Sequence, residues 1–508
     1  MRWSVIPLSL LIVAAARAGG PEVPPGFSIE QVVGGPFDGD PVGFAFLPDQ
    51  RIVIVERNTG NVRLAARGAS SSQVVFTIPE VNGASFEDGL LGVAVDPGWP
   101  ARPWLYFHYA HVDSVTNVVM YEASGDLADP SSTALTLSNP YLLLTDVPDS
   151  TGIHNAGTLR FGPDGMLYAS FGDDGSNCGA QELDSPLGKI LRLDPSAMPG
   201  AGPGPPPKNE ITPAGNPFPA TGEWVPLVWS WGLRNPFRFT IDPATGDTFL
   251  GDVGTSLFEE IDLVPAASTG PNFGWPRMEG DSTSSHVTCG LGQVFTSPII
   301  ALPHESPSSI IGGPRYRPLS PSAGRFPGDY HGDLFFLEFY SGDVYRARQT
   351  GAAWSLVPGA GRSDSLWASG FATASDFQEG PDGALWLLAM GINIPGQELP
   401  AGLHRIASTR AWVEAPAPGE LRARPNPARG DGGVRILAPG STAGPWTLSI
   451  RDVEGRLVRR LSGPSDPGAE VAWDGRAADG SRAAAGVYFA EWRAGGKTSA
   501  RGKIALLR

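Results

Sequence analysis

Apolar and polar residues alternate along this chain in short runs, and each run stops at a proline–aspartate or glycine turn. Val42 to Glu56 (VGFAFLPDQRIVIVE) sets the pattern: an alternating run, Pro48-Asp49, then a second apolar run. A period of two over a few residues predicts a half-buried strand. Proline pre-sets the first turn position and glycine accepts the left-handed one, so Gly162-Pro163-Asp164-Gly165 predicts a hairpin. The strand–turn–strand unit recurs at Leu90–Tyr109, His154–Gly172, Phe239–Val253, Phe326–Arg346 and Gly380–Met390. About six such units, spaced irregularly by about 50 to 80 residues, predict a propeller of four-stranded blades. The Pro-rich 196–220 segment then reads as a surface excursion, and such insertions gather on one face and build the site.

A different pattern starts after Ala415-Pro416-Ala417-Pro418-Gly419. Short alternating runs follow: VRILAP, WTLSIRDV, GRLVRRLS, AEVAWDG, GVYFAEW and GKIALL. Seven or so strands in about ninety residues fit an immunoglobulin-like sandwich. The predicted fold class is therefore all-β, a six-bladed β-propeller over 25–408, a linker over 409–423 and a small immunoglobulin-like β-sandwich over 424–508.

Composition agrees with many short strands joined by turns: 66 glycines, 50 prolines and only 18% charged residues in 508. The formal charge of −15 argues against nucleic acid or an anionic membrane as partner. Residues 1–18 read as a secretory signal peptide. Arg2 gives the positive start, Val5 to Ala15 the apolar core and Ala16-Arg17-Ala18 the small-x-small cleavage site. The apolar run is too short to span a bilayer, and no later stretch is long enough, so the expected location is periplasmic, cell-surface or secreted. An exported chain with two cysteines, Cys178 and Cys289, either joins them or buries them as thiols; the sequence leaves both open.

Three stretches carry candidate chemistry. His154 precedes a predicted inner strand and is followed by the small residues Ala156 and Gly157, which leave space beside the ring. Imidazole there suits a general base, although an arbitrary loop histidine is more often merely satisfied in place. In WSWGLRNP, Arg234 and Asn235 end an aromatic run; arginine offers a planar fork for carboxylates or an oxyanion, or it packs on Trp229 or Trp231. In GDVGTSLFEEID, Glu259, Glu260 and Asp262 crowd hard oxygens beside a glycine corner. Calcium favours such donors, and so does a solvated turn. The remaining histidines read as structural.

Together LLGVAVDPGW, HNAGTLRFGPDGMLYASFGDDG, LGKILRLDP, WSWGLRNPFRFTIDPATGDTFLGDVG, EEIDLV, NFGWP, IIGGPRYRP and GDLFFLEFYSGDVYR resemble the glucose/sorbosone dehydrogenase family, in order, over roughly Pro25 to Ser408. The resemblance implies a six-bladed propeller that oxidises the C1 hydroxyl of an aldose with pyrroloquinoline quinone (PQQ) and calcium, passing electrons to an acceptor. It implies His154 as the base, and Arg234 and Asn235 facing the cofactor. It gives the carbonyls of Gly254 and Thr255 to a cofactor-side calcium, and Glu260 with the Phe273 carbonyl to a second, structural calcium.

The chain departs from that pattern where PQQ-binding members carry cations. Tyr340 stands in place of a lysine, and Thr373 and Ser375 in place of an Arg-x-Arg pair, which leaves Arg315 and Arg317 as candidate substitutes. The pattern is nearer the branch that includes hedgehog-interacting-protein-like propellers, some of which are binding surfaces. Two functions follow: a PQQ-dependent aldose dehydrogenase, or a non-catalytic propeller that binds a carbohydrate or protein ligand at the same face. The tail resembles the immunoglobulin-like domain of flagellar-hook-capping proteins through Pro425-Asn426-Pro427, DVEGRLVRRL, Trp473-Asp474-Gly475 and Gly486-Val487-Tyr488. That resemblance implies a role in secretion or envelope attachment.

Overall fold

A computed structural model describes residues 20–219, 221–283, 287–318, 324–394, 399–409, 419–429, 433–437, 445–463, 470–494 and 497–507. The leader at 1–18 and most of the linker lie outside these residues. Two compact units are present, one of residues 1–320 and 332–409 and one of 321–331 and 410–508. Among the described residues the helical segments are four short 3-10 turns, and no helix is long and apolar enough to cross a membrane.

Among the described residues the larger unit holds one two-stranded ribbon, Met278–Glu279 with Ser282–Thr283, and six four-stranded antiparallel sheets. Their innermost strands are Pro41–Phe46, Leu90–Val95, Leu159–Phe161, Arg238–Ile241, Ile310–Arg315 and Ala374–Glu379. Each packs against the next, and the last packs against the first, where Phe44 N donates to Asp376 Oδ2 at 3.2 Å. Such close approach excludes side chains at two crossings. A Cβ on Gly92 would collide with the Gly157 carbonyl, and one on Gly312 with the Arg238 carbonyl. The sixth sheet is completed from the far end of the unit, because Phe27–Gly34 pairs outside Gly402–Ser408, from Phe27↔Ser408 to Gly34↔Gly402.

Five of the expected hairpins are the inner pairs of their sheets. The exception is Phe326–Arg346, whose strands Leu334–Glu338 and Val344–Thr350 are the second and third of the fifth sheet. Its inner strand is Ile310–Arg315, and the connection between the two is long, so no tight turn marks it in the sequence. The 196–220 segment lies between the third and fourth strands of the third sheet. It is more than an excursion, since Met198 and Ile211 are buried in the core beside Tyr106, Leu143 and Leu191. Burying apolar area at about 25 cal/mol per Å² fixes such a segment although it lacks regular structure.

Arg238 lies on the axis of the ring and is 1% exposed. Its Nε donates to the Ser375 carbonyl at 2.8 Å and its Nη2 to those of Val42 and Leu91 at 2.7 and 3.1 Å. Nη1 reaches Thr158 Oγ1 at 3.1 Å and its neighbour's carbonyl, Phe237 O, at 3.2 Å. One guanidinium thus satisfies acceptors from the inner walls of several sheets, which a side chain with fewer donors in one plane does not match.

The second unit holds a five-strand path, Gly419–Glu420, Lys497–Leu507, Gly486–Ala494, Trp446–Arg451 and Leu457–Gly463, with Ala428–Arg429 also on Lys497–Leu507. A three-stranded sheet of Arg422–Arg424, Val434–Leu437 and Glu470–Trp473 supplies the other layer. Trp473 and Ile436 of one sheet share a core with Leu448, Tyr488 and Trp492 of the other, and Trp446 stacks on Trp492 at 4.4 Å. The expected sandwich strands are all present.

Candidate functional site

An inner strand's start and the second strand's end meet at the same rim of every antiparallel sheet. At that rim the propeller holds a cavity of about 280 Å³. Residues just ahead of inner strands line it, among them Glu87, His154, Asn235 and His304, with Thr255 and Tyr340 from the ends of second strands.

The sequence placed His154 here, and the structure supplies its partner. His154 Nδ1 lies 2.6 Å from Oδ1 of Asp173, whose side chain is fully buried. Asp173 also accepts from the Trp275 indole at 2.7 Å and from Gly175 N at 2.9 Å. An ionised carboxylate only accepts, so Nδ1 carries the hydrogen and Nε2 keeps its lone pair. His154 and Ala156 adopt φ of 59° and 54°, a left-handed region that costs a residue with a Cβ of the order of 1 kcal/mol. Two contacts hold them there: His154 N donates to Glu87 Oε2 at 2.6 Å, and Ala156 N to Asn235 Oδ1 at 3.0 Å.

A buried carboxylate brings Arg234 and Asn235 to the cavity that His154 lines. Asp252 accepts from Arg234 N at 3.0 Å and Asn235 N at 2.7 Å, which pins the turn that carries both side chains. Burial pushes the Asp252 carboxyl up to about 7, against the pull of those two N–H groups. Arg234 Nη1 donates to Val253 O at 2.9 Å, and its guanidinium lies 5.5 Å over the Trp275 ring. Asn235 spends its amide on Ala156 N and, at 3.4 Å, on Glu87, so it braces the histidine's loop while lining the cavity.

Gly254 and Thr255 also line the cavity, and among the described residues no donor is seen at either carbonyl. A small adjoining cavity is lined by Asp252, Glu260, Phe273 and Glu279. Burial, with the Asp252 charge next in weight, pushes the Glu260 carboxyl up to about 8. A cation there would relieve both effects. Among the described residues no group of three His, Cys, Asp or Glu side chains is arranged to hold a metal. The first place offers the carbonyl oxygens of Gly254 and Thr255 and the second is lined by the carboxylate-bearing Asp252, Glu260 and Glu279, and a hard cation such as calcium takes oxygen donors of both kinds.

One expectation is corrected. Arg315 and Arg317 do not line the cavity. Both turn to Asp242, at 3.5 and 3.0 Å, and Arg315 lies over Phe249 and Trp354, because the buried Asp242 carboxylate attracts the nearest guanidinium groups. His304, read from the sequence as structural, is a further histidine of the same rim. It lines the cavity, and its Nδ1 is 2.6 Å from Glu259 Oε1. The sequence held a signal for it: like His154, it stands a few residues ahead of an inner strand. Cys178 and Cys289, left open by the sequence, form a disulfide with Cα atoms 5.7 Å apart.

Fold and site define a β-propeller with a polar pocket at one end of its axis, built round a histidine–aspartate pair. The chain matches the glucose/sorbosone dehydrogenase family, through the family model described as Glucose / Sorbosone dehydrogenase, over 39–290, and the FlgD Ig-like domain over 429–494. It is similar to HIPL2 protein of Arabidopsis thaliana, with 33% identity over 228 residues, 40% of this chain and 31% of that protein. It is also similar to quinoprotein glucose dehydrogenase B of Acinetobacter calcoaceticus, with 28% identity over 263 residues, 46% of this chain and 49% of that one. The chain thus spans less than half the length of either relative. A Thermus thermophilus structure described as an oxidoreductase (glucose dehydrogenase) aligns with TM-score 0.55 and 27% identity, covering 75% of this chain and 100% of that one.

Proposed function

We propose that this protein is an exported sugar dehydrogenase that oxidises the C1 hydroxyl of an aldose, using PQQ and calcium. The observation that carries the reading is the His154–Asp173 pair facing the cavity with Nε2 free to accept. Bound PQQ would supply a quinone that accepts the hydride from C1. His154 Nε2 takes the hydroxyl proton as the C1–H bond breaks, and Asp173 stabilises the imidazolium that forms. Arg234 places positive charge where negative charge grows during the transfer. The carbonyls of Gly254 and Thr255 would hold the cofactor-side calcium, and Glu260 with the Phe273 carbonyl the structural one. Phe86, half exposed on the cavity lining, gives the sugar an apolar face to rest on.

The positions where cations are expected are less suited to a tricarboxylate. Tyr340 and Met390 line the cavity, Thr373 and Ser375 are buried, and none of the four is cationic. This, with the similarity to HIPL2 protein, favours a second reading, a non-catalytic propeller that binds a carbohydrate or protein ligand at the same rim. One experiment separates the two. The mature protein, given calcium and PQQ, is assayed for dye reduction with a panel of aldoses, alongside His154→Ala. Turnover that falls by at least about 10²-fold in the variant supports the dehydrogenase. Absence of turnover with every aldose moves the assignment to the binding propeller.

A further inference from the structure

Residues 424–508 hold 12 arginines and 2 lysines against 8 aspartates and glutamates, whereas the whole chain has 37 basic and 52 acidic residues. Much of that positive charge gathers on one face of the second unit. On Gly486–Ala494, Tyr488, Ala490 and Trp492 are buried in the sandwich core, so Phe489, Glu491 and Arg493 point outward. Residues in register with them share that face. Phe489 stands between Lys503 and Arg451, and Glu491 between Arg501 and Ser449, with Arg460 beyond Ser449. Glu420 is in register with Arg501 on the outermost strand. Arg493 and Arg501 pair with Glu491 at 2.7 and 3.2 Å, yet their side chains stay 56% and 73% exposed. Arg451 gives one N–H to the Gly455 carbonyl at 2.9 Å. Among the described residues no carboxylate pairs with Arg451, Arg460 or Lys503, and all three are exposed. Phe489, an apolar ring in their midst, is half exposed.

We propose that this face binds an acidic polysaccharide, one whose sugars carry carboxylates. The Phe489 ring offers an apolar surface on which a pyranose face rests, and the strands bearing Lys503 and Arg451 run about 5 Å to either side of it. Most of the cations are arginines, and a guanidinium presents paired N–H groups that match the two oxygens of a carboxylate. An anionic membrane fits less well. Its plane of charge opposes the acidic bulk of the chain, whereas a polymer strand lies along one face, and charges beyond a Debye length of about 8 Å are screened. The site belongs to the second unit and is independent of the chemistry of the propeller's pocket.

The test is binding of the full chain to immobilised polygalacturonate, with neutral dextran and phosphatidylglycerol vesicles alongside, in calcium-free buffer. The wild type is expected to bind polygalacturonate at about 20 mM salt, to be released at about 0.5 M, and to ignore dextran. Reversing two charges, Arg451→Glu with Lys503→Glu, is expected to weaken binding at least about tenfold. Phe489→Ala is expected to weaken it about three- to tenfold. These side chains are exposed, so the urea midpoint of each variant is expected to match the wild type. If the reversed pair unfolds early, Arg451→Gln with Lys503→Gln is read in its place. No binding by the wild type, or full affinity in the charge variants, overturns the proposal. Full affinity in Phe489→Ala reduces the face to an ion exchanger and overturns it too, and tighter uptake by the vesicles makes it a membrane surface instead.

Discussion

At the scale of single residues, chemistry here depends on which groups are paired and which are not. Asp173 fixes the tautomer of His154, so Asp173→Asn leaves a neutral ring whose hydrogen is no longer held at Nδ1. The expected loss in kcat is about 10²- to 10⁴-fold with little change in sugar affinity, read from steady-state kinetics of the holoenzyme. Asp149 is the opposite case. It is 5% exposed, neither carboxylate oxygen makes a hydrogen bond of ordinary geometry, Asn155 and the Gly152 N–H support it only from longer range, and Asp88 and Asp174 lie near enough to repel it. Burial, then the Asp88 charge, raise its carboxyl from 3.8 to about 6. The native state therefore binds this proton more tightly than the unfolded chain, and stability falls as pH rises from about 4 to about 6. Asp149→Asn is expected to add about 1–3 kcal/mol above pH 6 and almost nothing near pH 4, measured by urea unfolding at the two pH values.

At the scale of elements, loops rather than strands set the base. The turn Asn177–Gln181 carries Cys178, and Cys289 ties it to a loop 111 residues away. From the same turn Gln181 Nε2 donates to Trp275 O at 2.7 Å and to Asn272 Oδ1 at 3.0 Å, and Asn272 returns a bond to Gln181 Oε1 at 3.0 Å. Trp275 then donates to Asp173 at 2.7 Å. The disulfide thus braces the residues that orient His154. Cys178→Ser with Cys289→Ser is expected to lower stability by about 2–5 kcal/mol and to lower kcat, since a loosened Trp275 frees Asp173. Full stability and full kcat in the double variant would refute the brace.

At the scale of the whole propeller, two devices close the ring: the first strand completing the last sheet, and Arg238 on the axis. Arg238→Met leaves the buried carbonyls of Val42, Leu91 and Ser375 without their donor. The expected cost is about 3–5 kcal/mol by urea unfolding, large because orphaned buried acceptors lose their hydrogen bonds and regain no water. A variant within about 1 kcal/mol of the wild type would mean that water or a repacked channel replaces the guanidinium.

The sequence alone determined what depends on local periodicity. Strands, turns, the count of sheets and the sandwich strands followed from alternation and Pro-Asp or Gly turns, because a period of two and a fixed φ are properties of neighbouring residues. Motif order pointed to His154, Arg234, Asn235 and the glycine corner. Tertiary structure decided everything that depends on residues distant in the chain. His154 meets Asp173 across a hairpin, His304 meets Glu259 across a long loop, and Cys178 meets Cys289 between two loops. Arg315 and Arg317 sat beside a motif strand, yet the buried Asp242 claims them, since a charge settles on its nearest desolvated partner wherever that lies in sequence. No local pattern encodes such pairings, because burial and opposite charge act through space.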